Sequence, residues 1–218
     1  MSVSSDIIER TIAYVKQELV HAEGGHDWFH IERVWKCART IAQTENATTL
    51  VVELGALLHD IADSKFNGGD EEIGPQKAAA FLQSEGLDVA TIDSVVYIVR
   101  SISFKGGKQD LLHRTIELDI VQDADRLDAI GAIGIARAFN YGGFKNRELY
   151  NPNIKPNLNM SKEEYKNSNA PTLNHFYEKL LLLKDLMNTK TGKQLANQRH
   201  QFLEQFLSQF YNEWNGNA

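Results

Sequence analysis

The sequence predicts an all-α protein, a helical bundle, on three observations. Apolar residues recur at three- and four-residue spacing along most of the chain, and no run reads convincingly as a strand. Glycine pairs and a stretch rich in Gly, Pro, Asn and Lys punctuate the periodic segments. With 218 residues, 42% hydrophobic and 24% charged, the chain has the composition of a globular protein and fits one large domain or two small ones.

Residues 6–20 place Ile8, Ile12 and Val15 on one face after a Ser/Asp start signal, which predicts a surface helix. Gly24-Gly25 breaks that pattern. A second helix then runs from His26 to about Thr44, with Ile31, Val34, Ala38 and Ile41 on a packing stripe. His26, His30 and Arg33, spaced four and three apart, share another face of it. A third helix starts near Thr48, and its stripe of Leu50, Leu54, Leu57, Leu58 and Ile61 carries His59 and Asp60 near the C-terminal end.

Beyond a loop at 64–69, helices are expected over 70–83, with Gly86 as the stop, and over 88–103 on Val89, Ile92, Val96 and Val99. Residues 104–108 read as a basic turn and Asp110 as an N-cap for Leu111 onward. From there to Gly131 carboxylates are unusually dense among apolar residues, and Gly131–Phe139 continues as a small-residue helix. Residues 142–170 read as a long loop of the kind that forms a lid or binding segment, or is disordered. Two amphipathic helices, 171–187 and 192–214, close the chain. The second carries Phe202, Phe206, Phe210 and Trp214 every four residues, a core stripe or a dimer face.

Charge and motifs exclude several classes. A formal net charge of -6 argues against a nucleic acid polymer or an anionic membrane as partner, since both select basic surfaces. No apolar run approaches the roughly 20 residues that span a bilayer, and the N-terminus has no export signal, so a soluble cytoplasmic protein is expected. Cys37 has no second cysteine to pair with and shares an apolar stripe with Val34 and Ile41, as a packed thiol does. No glycine-rich phosphate loop is present.

The chemistry concentrates where an imidazole and a carboxylate end a buried stripe. Such a pair needs a partner, and a divalent cation satisfies both groups. Candidate ligands come from three segments: His30, the His59-Asp60 pair and Asp123, with His26 able to replace His30 from the same face. Two imidazoles and two carboxylates neutralise one divalent ion and suit Mn, Fe, Co, Ni or Zn better than Ca, with Mg among the candidate identities that the sequence does not choose between.

The words His26-Asp27-Trp28-Phe29-His30, Leu57-Leu58-His59-Asp60-Ile61-Ala62-Asp63 and Asp123-Ala124-Asp125-Arg126-Leu127-Asp128, in this order, resemble the HD-domain superfamily of metal-dependent phosphohydrolases, in particular small stand-alone bacterial members. The resemblance covers about 20–140, with residues 1–218 expected as a single domain of that type. It implies an all-helical fold, one metal on His30, His59, Asp60 and Asp123, and hydrolysis of phosphate esters or anhydrides, commonly of nucleotides. Only His113 stands between the His-Asp pair and Asp123, so a second metal, as in two-iron oxygenase relatives, is not expected.

On that basis Asp63, four residues after His59, or Asp27 orients the attacking water. Lys65, Lys105 and Arg126 supply charge to phosphate, with His26 and Arg33 as further groups beside the substrate. The remaining histidines, 21, 113, 175 and 200, read as surface or packing residues. The competing reading is a regulatory module that binds nucleotide at a retained metal site without turnover. A helical protein whose metal only stabilises the fold is a third.

Overall fold

The computed structural model describes residues 3–20, 27–62, 70–102 and 114–217, and among these it contains helices, turns and no strand. No helix among the described residues is long and apolar enough to cross a membrane. The helices are α1 (Val3–Glu18), α2 (Trp28–Ala42), α3 (Thr49–Leu58), α4 (Ile73–Ser84), α5 (Val89–Ile102), α6 (Ile116–Asp128), α7 (Gly131–Phe144), α8 (Lys162–Asn167), α9 (Asn174–Glu178) and α10 (Lys190–Trp214), with a 3₁₀ helix at Leu180–Leu186. The chain divides into two units, residues 1–125 and 126–218, and the division falls inside α6.

In the first unit α3 packs against α1, α2 and α5, and α4 against α5. Leu54, Leu57 and Leu58 are fully buried, so the leucine stripe of α3 forms the centre of this core. Gly55 belongs to it for a steric reason: a Cβ there would stand 2.9 Å from Ile98 Cδ1, so α3 and α5 approach where a side chain is missing. Polar ties fix the rim. The Trp35 indole N–H donates to Glu53 across α2 and α3 at 2.8 Å, and the Thr48 N–H donates to Glu117 at 2.9 Å. The ring of Tyr14 stacks on Phe81 at 4.2 Å, joining α1 to α4. Gly86 ends α4 as expected, at φ 74° with the Leu87 N–H reaching back to Leu82.

In the second unit α10 packs against α7 and the 3₁₀ helix. The C-terminal aromatic stripe is part of its core: Phe206 lies 5.7 Å from the buried Phe176 and 5.9 Å from Phe139, while Phe210 and Trp214 close around Tyr150. Phe202, at the start of the stripe, is exposed.

The structure differs from expectation in two places here. The predicted helix over 171–187 is broken at Lys179 into α9 and the 3₁₀ helix. The 3₁₀ helix buries Leu180 and Leu183, three apart and eclipsed in a 3₁₀ turn, while Leu182 and Leu186 are exposed. Residues 142–170 are not all loop. The helix α7 runs on to Phe144, and α8 starts with a capping box in which Glu164 N–H donates to Ser161 Oγ at 3.2 Å and Ser161 N–H donates to Glu164 at 2.7 Å. Side chains of Asn151 and Asn157 each accept from the backbone two residues on. The predicted N-cap Asp110 lies outside the described residues; before α6 it is Thr115 Oγ1 that accepts from Leu118 N–H, at 3.2 Å.

Candidate metal centre

The helix α2 presents His30 in its first turn because Asp27 caps it: the Asp27 carboxylate accepts from the His30 N–H at 3.0 Å. That turn also buries Ile31 and, one turn on, Val34, which drives the His30 ring inward to 2% exposure. His59 and Asp60 stand just past the end of α3, whose regular part stops at Leu58 while His59 keeps helical dihedrals. The leucines before the pair and Ile61 after it are buried, so His59 is carried into the core at 6% exposure and Asp60 to its half-buried edge.

Ring geometry then sets the free lone pairs. The Nδ1 of His59 lies 2.8 Å from the Ala56 carbonyl, which can only accept, so Nδ1 carries the proton and Nε2 is left as a lone-pair donor. The two imidazoles meet edge to face with centroids 5.3 Å apart. One ligand atom from each of His30, His59 and Asp60 lies within 4.8 Å of the others. A third element closes on the same point. Asp125 Oδ1, on α6, is 3.5 Å from His30 Nε2 and 3.9 Å from His59 Nε2.

These separations test whether the residues fit a metal. The two Asp125–imidazole separations exceed the 2.7–3.2 Å of a direct N–H···O bond. Donors around one ion at about 2.1 Å stand about 3 Å apart, so a small contraction of this cluster reaches a coordination shell. Two imidazole nitrogens with carboxylate oxygens are a donor set for a divalent transition metal. His30, His59 and Asp60 fit one.

Asp123, the expected fourth ligand, is fully buried on α6, and the carboxylate beside both imidazoles is that of Asp125. Helical phase did not separate the two in the sequence, because α6 is buried nearly all round: Leu118, Ile120, Val121, Ala124 and Leu127 are each fully buried. Asp125 stands in the same sequence word.

The other expected site residues divide. His26, Asp63, Lys65 and Lys105 lie outside the described residues. Asp27 serves the α2 cap, and Arg33 is half-buried on α2. Arg126 donates to the Leu186 carbonyl, within the second unit.

An all-α scaffold holding two histidines and an adjacent aspartate at one point is the arrangement of the HD domain, and the model of that family matches residues 28–130. The chain belongs to the HD-domain family. It is similar over nearly its whole length to an HD-superfamily hydrolase of Bacillus thuringiensis, whose crystal structure has 43% sequence identity and a TM-score of 0.80, covering 97% of this chain and 98% of that one. It is also similar to the uncharacterized protein YpgQ of Bacillus subtilis, 37% identical over 92% of this chain and 90% of YpgQ. A crystal structure of YpgQ in complex with ADP matches with a TM-score of 0.76, covering 97% of each chain.

Proposed function

We propose that this protein is a metal-dependent phosphohydrolase acting on a soluble phosphate compound, a nucleotide by class, as a nucleoside triphosphate pyrophosphohydrolase or phosphatase. The observation that carries this is the convergence of His30, His59 and Asp60 to within 4.8 Å, with Asp125 on the third side. We place the ion on these four residues, with Asp125 in the position expected of Asp123. A divalent ion so held lowers the pKa of water and polarises a phosphoryl oxygen. The similarity to YpgQ, crystallised with ADP, supports a nucleotide as the ligand.

The chain's own groups prepare that chemistry. Ala56 fixes the His59 tautomer, and Asp27 holds the turn that aims His30. In this scheme Asp63 orients the attacking water, and Lys65 and Lys105 bring charge to the phosphates, all three on the strength of their sequence positions. Arg126 as a further catalytic group, and His26 and Arg33 as substrate-binding groups, are proposed on the same ground of sequence position. Residues 1–218 act as one functional domain, which the near full-length match to solved relatives supports.

A screen of nucleotides for phosphate and pyrophosphate release, with Mn, Mg, Co, Ni and Zn in turn, tests the proposal beside Asp60→Ala. Turnover is expected with at least one metal and is lost in the variant. Tight nucleotide binding without turnover under every metal would favour the regulatory reading instead.

A further inference from the structure

Glu53 is the one charged residue of α3, set between the fully buried Val52 and Leu54, with its own side chain shielded to 16% exposure. A carboxylate so placed needs polar partners, and α2 supplies two. The Trp35 indole N–H, which can only donate, meets Glu53 Oε2 at 2.8 Å. Arg39, one turn further along α2, brings its guanidinium to 3.6 Å from the same oxygen and lies over the Trp35 ring, 5.3 Å from its centre. The two helices thus share a directional grip, made by side chains of α2 on a single oxygen of α3.

The same pair of helices carries the two imidazoles. Trp35 stands five residues after His30, and Glu53 six before His59. At about 1.5 Å per residue, the grip lies roughly 7–9 Å along each helix from the rings. His30 meets His59 and Trp35 meets Glu53, so α2 and α3 run antiparallel, and a slide of one helix on the other parts the rings. Apolar packing between helices is non-directional. A slip by one residue's rise, about 1.5 Å, far exceeds the ~0.2 Å within which metal–ligand distances are held. We infer that Trp35 and Glu53, backed by Arg39, are positioning residues for the metal centre: the indole–carboxylate bond sets the axial register of α2 on α3 and so holds the His30 and His59 rings at a separation that one ion can bridge. This role rests on the proposed ligand set, and every residue in it belongs to the first unit.

The test uses the full chain and Mn²⁺ alone, titrated calorimetrically, with the visible spectrum of the Co²⁺-loaded protein, which follows coordination geometry, as a second readout. Glu53→Leu, which deletes the acceptor, is expected to weaken Mn²⁺ binding about tenfold, the low end of the range for removing a group that orients a ligand, and to alter the Co²⁺ bands. Trp35→Phe, which keeps a ring and deletes the donor, is expected to move both readouts in the same direction, and it decides the question should Glu53→Leu not fold. Glu53→Gln, whose amide oxygen still accepts from the indole, is expected to recover most of the affinity. Tyr14→Leu, which loosens the same unit where α1 meets α4, is expected to bind as the wild type does. Wild-type affinity in both Glu53→Leu and Trp35→Phe, a loss in Glu53→Gln equal to that in Glu53→Leu, or an equal loss in Tyr14→Leu would overturn the inference. His59→Ala in the same titration separates the premises: if it still binds Mn²⁺ fully, the ligand set itself is wrong.

Discussion

Within two turns of α6 the protein keeps two acidic groups in opposite states. Asp128, at 4% exposure, is closed: Arg137 meets its carboxylate directly. Asp125, partly exposed, faces two imidazoles at longer range, 3.5 Å from His30 Nε2 and 3.9 Å from His59 Nε2. The difference teaches how to separate a structural ion pair from a site. A buried charge that serves only the fold meets its partner in direct contact; under the proposed function, a carboxylate that two imidazoles face at longer range belongs to a metal site.

Breaking each group in turn should therefore give opposite results. Asp125→Ala is expected to weaken Mn²⁺ binding on the order of a hundredfold or more, since a ligand is gone, while metal-free stability in urea stays within about 1 kcal/mol. Asp128→Ala is expected to cost about 3 kcal/mol in the same unfolding experiment, because the Arg137 guanidinium loses the carboxylate it pairs with. Equal effects of the two changes on stability would erase the distinction.

A smaller effect sharpens the closed side. His175, in the second unit, is held neutral: burial first, then the charges of Lys179 and Arg147, push its pKa down to about 4. The unfolded chain binds this proton near pH 6.5 and the folded chain near 4, so the contribution to stability is complete above pH 6.5 and is lost as pH falls through 4. Its size is up to about 3 kcal/mol. Urea unfolding between pH 7 and 4 should show a shallower pH dependence in His175→Gln than in the wild type. An identical dependence would mean that His175 is not the buried neutral group described.

Much of this was legible in the sequence, for identifiable reasons. The helices α2, α3 and α10 each carry a long apolar stripe of period near 3.6, and their packing honours it: Val34, Leu54 and Leu203 are all fully buried. The histidine pair was legible because it interrupts such stripes. Less legible was the break at Lys179, where a leucine-rich run satisfies an α-helical and a 3₁₀ repeat alike. The box Ser161-x-x-Glu164 was written in the sequence but hidden by its Asn- and Lys-rich surroundings. Asp123 and Asp125 were hard to tell apart because carboxylates are dense on α6 and two of them, Asp123 and Asp128, are buried among its apolar residues.

The most direct test of the central claim is a crystal structure of the full chain with Mn²⁺, read by anomalous scattering. One ion is expected within about 2.2 Å of His30 Nε2, His59 Nε2 and an oxygen from each of Asp60 and Asp125. An ion held through Asp123, or a manganese peak anywhere but between the two histidines, would contradict the account.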